Sequence, residues 1–245
     1  MPWKSLAQLE PLRGSLCVVL AEPGGGKSAF ALNWAARLLA PSAVLSLDTD
    51  LTTQAVRTAA ILGQTPMDVV KQNPVAWSNF LKQRAAHVRM YDVNVNARET
   101  LQLVNAETEF WGEPPVITVI DNVSNLVREG GYEEYRNLFV SLHRVARMGN
   151  TFVLALHHVT RGHVGRHVPL TLASGQYSGE QEAELVLGLW SKHPDYMNVS
   201  VLKNRLGQAD ASGRLYSSLR FDRPLMSIRD MTDTEKAVAA IGGLV

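Results

Sequence analysis

AEPGGGKS, residues Ala21–Ser28, continues an apolar run, LCVVLA (Leu16–Ala21), and opens a segment in which Phe30, Trp34 and Leu38 recur four residues apart. A strand, a glycine-rich turn and a helix in that order are the context that a phosphate-binding loop requires. Gly24, Gly25 and Gly26 let successive backbone N–H groups converge on phosphate oxygens. The helix presents its positive end to the anion, and Lys27 adds a mobile cation for the outer phosphates. Ser28 offers a hydroxyl to Mg²⁺, so the nucleotide-binding set read here is Glu22, Pro23, Gly24, Gly25, Gly26, Lys27, Ser28 and Ala29. The bland alternative is a glycine-rich turn followed by a chance Lys-Ser. Ala21 stands where the general pattern has its first glycine.

Outward from this stretch, AVLSL (Ala43 to Leu47), VITVI (Val116 to Ile120), FVLAL (Phe152 to Leu156) and LVLGLW (Leu185 to Trp190) are short and rich in Leu or β-branched residues. They lack strict alternation, as central strands buried on both faces do. Between them Ser28 to Ala40, Thr53 to Leu62, Trp77 to His87, Arg98 to Phe110 and Tyr132 to Met148 carry apolar residues at helical spacing. The alternation predicts an α/β fold with a doubly wound, mostly parallel sheet, its ligands at the carboxyl ends of the strands. MNVSVLK, GRLYSSLRF and PLMSIRD then read as an antiparallel extension, and MTDTEKAVAAI as a helix started by Thr232 or Asp233 and stopped by Gly242 and Gly243. A single domain is expected, with a core over about residues 12–230 and a short helix or tail over 231–245.

The 245 residues, 46% hydrophobic and 19% charged, suit one large α/β domain rather than a disordered chain. No apolar run reaches the roughly 20 residues of a membrane span, and MPWKSLAQLEPLRG has no signal-peptide character, so a cytoplasmic protein without a membrane partner is expected. The single Cys17 excludes an internal disulfide framework and reads as a small core residue. A net charge of +1 neither favours nor excludes nucleic acid, because basic residues can be confined to a channel.

In VITVIDNVSNL, buried apolar residues deliver Asp121 to the end of a strand. A carboxylate there is costly unless paired, and Mg²⁺ bridging nucleotide phosphates is one partner; a helix cap is the structural alternative. Hydrolysis also needs a carboxylate to orient water, and Asp48 and Asp50 end the strand AVLSLDTD, with Asp50 the better candidate for a mere cap. His157, His158, His163 and His167 fall within eleven residues. Their spacing fits no recognised metal pattern, and phosphate sensing by one of them is the preferred reading.

These stretches together resemble the C-terminal motor domain of DnaB-type replicative helicases, within the RecA-like group of P-loop NTPases. In that family the phosphate loop also tends to begin with alanine and to continue into Phe-Ala-x-Asn, as Ala21 and Phe30 to Asn33 do here. LSLDTD sits at the family's Ser-Leu-Glu, which makes Asp48 the counterpart of the catalytic glutamate, shorter by a methylene. LALHHVTR (residues 154 to 161) resembles the strand that normally ends in Ser-Gln and senses the γ-phosphate, so that role passes to His158. GEQEAELVLGLW and VLKNRLG resemble later family segments, the second placing Lys203 and Arg205 where the family inserts a cation pair into the neighbouring subunit's site.

The resemblance implies ATP and Mg²⁺, the latter held by Ser28 and Asp121, with a homo-oligomeric ring, expected as a hexamer, that sites ATP between subunits. It also implies single-stranded DNA as partner, touched by Arg128, Arg161 and Arg166 in the turn-rich segments at the strand ends. No counterpart of the family's N-terminal helical domain is read in these residues. Two other classes stay open: a DNA nuclease with metal at the histidine-rich loop, and an ATP-controlled accessory protein that binds single-stranded DNA without motor activity. A cation supplied in trans contributes about 10³ to 10⁵ in rate, so Arg205→Ala is expected to abolish turnover with little loss of nucleotide binding. Retained ATPase activity in that variant would remove the finger assignment.

Overall fold

In Leu16–Ala21 every residue is buried, and the two-residue period of a strand divides them between two cores. Cys17, Val19 and Ala21 join a cluster with Phe30, Trp34, Phe152 and Leu154, whereas Leu16, Val18 and Leu20 join one with Val104, Phe139, Leu142 and Val153. A strand that feeds a core on each face is the central strand of a three-layered molecule. The computed structural model describes residues 1–9, 12–127, 131–175 and 181–244.

The strands are β1 (Leu16–Ala21), β2 (Ser42–Ser46), β3 (Val88–Tyr91), β4 (Ile117–Asp121), β5 (Phe152–His158), β6 (Leu185–Trp190), β7 (Tyr196–Asn204), β8 (Tyr216–Asp222) and β9 (Ser227–Asp230). They form one sheet in the order β3-β2-β4-β5-β1-β6-β7-β8-β9. The strands from β3 to β6 in that order are parallel, and β7, β8 and β9 continue antiparallel, as the sequence predicts. The helices are α1 (Lys27–Arg37), α2 (Leu51–Gly63), α3 (Met67–Gln72), α4 (Pro74–Arg84), α5 (Ala97–Trp111), α6 (Tyr132–Met148) and α7 (Asp233–Ile241). None among the described residues is long and apolar enough to cross a membrane.

Two elements carry no strong sequence signal. β3 is a half-buried edge strand, VRMY, without an apolar run, and α3 buries only Val70. The packed unit also begins before residue 12. Trp3 is wholly buried, stacks on Phe30 at 4.7 Å between ring centroids and donates its indole N–H to the carbonyl of Ile228 at 2.9 Å. Asp230 holds the same segment by accepting from the backbone N–H groups of Lys4 and Ser5. At the other end α7 starts with a capping box between Thr232 and Glu235 and buries Ala239 near Tyr196 and Met231.

Truncating a large buried aromatic costs about 3–5 kcal/mol. Trp3→Ala is therefore expected to destabilise the whole domain by about that amount, read as a lowered midpoint in denaturant; an unchanged midpoint would show that the first residues are a dispensable arm.

Candidate functional site

The adjacent parallel strands β2, β4, β5 and β1 end at one edge, so the residues that follow them are brought together by topology alone. Ser46 is level with Asp121 and Ala21 with His158. Pro23, Gly24, Gly26, Lys27, Ser28 and Ala29 from the phosphate loop line a cleft of about 390 Å³ with Asp48, Asp121 and His158. Glu22 and Gly25 instead face a neighbouring depression beside His167 and Trp190.

Gly24 and Gly26 have φ of +71° and +87°, where a side chain is strained. A Cβ on Gly26 would also lie 2.6 Å from Met197 Cε and 3.1 Å from Phe221, so the antiparallel strands back the loop. Gly26 is the N-cap of α1, which directs the helix's free N–H groups and positive end into the cleft.

Lys27 is 7% exposed. Burial brings its ammonium down to about 8, against the opposing pull of Asp121, Asp48 and Glu22. Its Nζ donates to the carbonyls of Ala21 and Glu22 at 3.3 and 3.2 Å and lies 3.2 Å from Nδ1 of His158. Asp121 is 4% exposed. Burial raises its pKa, a hydrogen bond from Ser28 opposes that, Asp48 adds to it and Lys27 opposes it again. A buried carboxylate beside a hydroxyl is an all-oxygen donor pair, the chemistry that suits Mg²⁺ with phosphate oxygens and water as further ligands. Asp48 stands exposed on the lip of the cleft, while Asp50 is the N-cap of α2, accepting from the Thr53 N–H.

Strand parity separates the two histidines at the end of β5. His157 is wholly buried, with its ring 5.1 Å from Tyr135 and 5.4 Å from Phe139, on the face covered by α6. His158 turns the other way, toward Lys27. His163 lies in a short turn, Arg161–His163, and Nδ1 of His167 is 3.1 Å from the Ser191 carbonyl. Among the described residues no group of three or more His, Cys, Asp or Glu side chains is placed to hold a metal ion.

Lys203 and Arg205 lie at the opposite edge of the sheet. Asn204 is level with Leu185, which is level with Cys17 near the start of β1. There Lys203 and Arg205 donate to the Gln181 carbonyl at 3.0 and 3.3 Å, and Arg205 pairs with Glu184 at 3.6 Å. They do not complete their own chain's cleft. Arg166 is exposed, in a loop fastened to the phosphate loop where the Gly165 N–H donates to Glu22 at 2.6 Å. Arg161 opens the turn before it, and Arg128 lies outside the described residues. Arg57, Asn122, Phe221 and Arg223 also line the cleft and were not anticipated. Arg57 belongs to no motif, and Phe221 comes from β8 and Arg223 from the turn after it, whose place beside the loop is set by the fold.

No protein-family model matches the chain. It is 30% identical over 233 residues to the Gene 65 protein of Mycobacterium phage L5, covering 89% of this chain and 87% of that protein. It is 31% identical over 229 residues to the Gene 65 protein of Mycobacterium phage D29, covering 88% and 99%. Among solved structures it is similar to a DnaB-like replicative helicase, with a TM-score of 0.75 and 18% identity over 91% of this chain and 58% of that one. An ATPase domain gives a TM-score of 0.76 at 17% identity over 90% and 86%. The RadB recombinase gives 0.62 at 15% identity over 94% and 97%.

The left-handed backbone and the occupied space at Gly26 make Gly26→Ala a test of the loop. A left-handed residue costs about 1–2 kcal/mol before any clash, so the variant is expected to unfold at lower denaturant and to lose nucleotide binding in equilibrium titration. Wild-type binding would show that the loop's shape does not matter to the site.

Proposed function

The chain belongs to the family of the Gene 65 proteins of Mycobacterium phages L5 and D29 and has the RecA-like fold of helicase ATPase domains; from this we propose that it binds and hydrolyses ATP while acting on single-stranded DNA in replication or recombination. The observation that carries the proposal is the convergence of Lys27, Ser28, Asp48, Asp121 and His158 on one cleft at the carboxyl edge of the sheet.

In this reading the amides of Gly24 to Ser28 and the positive end of α1 cradle the phosphates, and Lys27 leaves its carbonyl partners to meet the outer ones. Ser28 and Asp121 would hold Mg²⁺, which when bound neutralises charge on the phosphoryl group. Asp48 orients water from the lip, and His158 meets the terminal phosphate. Phosphoryl transfer depends on positioning and charge neutralisation more than on covalent chemistry. The placement of Lys203 and Arg205 far from their own loop supports their service to a neighbouring subunit, hence a homo-oligomer with ATP at its interfaces. In this reading DNA is met by the segment that carries Arg161 and Arg166. The dispersal of the histidines does not favour the nuclease alternative.

Phosphate release from ATP should depend on Lys27, rise with single-stranded DNA, and rise with protein concentration through the range of assembly. The comparison is wild type against Lys27→Ala. ATP binding without hydrolysis under all these conditions would replace the motor by a nucleotide-controlled DNA-binding protein.

A further inference from the structure

Asn122, the residue after β4, is 5% exposed, and its side-chain amide stands between two groups. On one side the backbone N–H of Ser124 donates to Oδ1 at 2.8 Å, and the Ser124 hydroxyl donates to the same oxygen. On the other, Nδ2 lies 2.8 Å from Nε2 of His158. A backbone N–H can only donate, and so can an amide NH₂. The oxygen therefore faces Ser124, the NH₂ faces His158, and Nε2 supplies the lone pair that accepts. On a neutral imidazole the proton is then on Nδ1.

We propose that Asn122 is a positioning residue that fixes His158 as the Nδ1–H tautomer, so that the ring aims a hydrogen-bond donor, and not a base, at the phosphate position beside Lys27. The inference rests on the nucleotide-binding reading above and assigns the chemistry of one contact within it.

The opposite arrangement has Nε2–H donate to a rotated Asn122 amide, which sets the amide NH₂ against the Ser124 N–H. Each arrangement leaves one pair of donors face to face. In the opposite one the conflict falls on a backbone amide that cannot turn away. In the proposed one it falls between His158 Nδ1–H and Lys27 Nζ, 3.2 Å apart, where the lysine has a flexible stem and the carbonyls of Ala21 and Glu22 within reach. The conflict therefore settles on the mobile group.

It also settles where a ligand relieves it. An anionic oxygen placed between the two donors accepts from both, so the pair is arranged for a phosphate oxygen. The groups facing the ring act in the same sense: burial first and the Lys27 charge second hold the imidazole below its ordinary value, with Asp48 opposing. A neutral ring donates through Nδ1 without bringing a second positive charge against Lys27.

The test is ¹⁵N NMR of the histidine-labelled full chain near neutral pH without nucleotide, the His158 signals being assigned by their loss in His158→Gln. The expected pattern is a protonated Nδ1 and an unprotonated Nε2. In Asn122→Asp the carboxylate accepts from both Ser124 N–H and Nε2–H, so the pattern should move to Nε2–H or to the doubly protonated ring. Where the proton moves to Nε2 alone, the donor is lost and kcat should fall on the order of 10²-fold, the effect of losing one preorganised donor, with KM for ATP little changed. An Nε2–H pattern in the wild type overturns the proposal, whether or not the variant folds, and so does an unchanged pattern in a folded Asn122→Asp. Lys27-dependent hydrolysis with an Nε2–H ring leaves the ATPase reading standing without this inference. A Nδ1–H ring in a protein that binds no nucleotide removes the ATPase reading and leaves the tautomer assignment.

Discussion

A lysine ammonium and an aspartate carboxylate, both almost wholly withdrawn from water, share the floor of one cleft. Desolvating either is expensive, and their mutual attraction offsets the cost only in part. Opposing shifts follow: burial lowers the pKa of Lys27 and raises that of Asp121. Groups held in this condition gain from a ligand that is anionic toward the lysine and brings a cation toward the aspartate. The surrounding structure holds both side chains out of solvent.

Much of that work falls to α1, whose first residue is Lys27. Its apolar face locks Phe30 and Trp34 into an aromatic cluster with Trp3 and Phe152. Its buried Asn33 donates to the Met226 carbonyl at 2.7 Å and accepts from the Ile228 N–H at 3.1 Å. Arg37 donates to the Ile228 carbonyl at 2.9 Å. The helix is thereby pinned to the antiparallel end of the sheet at several points along its length, and the ammonium at its tip is aimed by packing rather than by a flexible loop.

The buried parallel strands were legible in the sequence because burial on both faces writes continuous apolar runs: LCVVLA and LVLGLW coincide with β1 and β6. The 17-residue α6 was equally legible, with its strongly one-sided apolar pattern. An edge strand such as β3, with Arg89 in its middle, needs only partial cover and leaves no such trace. The meeting of Lys27, Ser28 and Asp121 in one cleft could be read because a glycine-rich turn between strand and helix, and an acid ending a neighbouring parallel strand, fix where these residues stand. The separation of His157 from His158 needs only strand parity, but parity becomes informative once it is known which face carries α1. Asn122 and Arg57 were out of reach. Their neighbours in the cleft come from other strands, and an asparagine after a strand is ordinarily just a turn residue.

The space beside Gly26 is filled by Met197 and Phe221, and Trp3 closes on Ile228. The glycine-rich loop is thus synthesised well before the residues that close around it. Contacts spanning this much sequence are slow to form. A growing chain carries the complete AEPGGGKS motif long before it has the wall that shapes it, and a nascent protein ending short of β7 would bear the motif without the cleft.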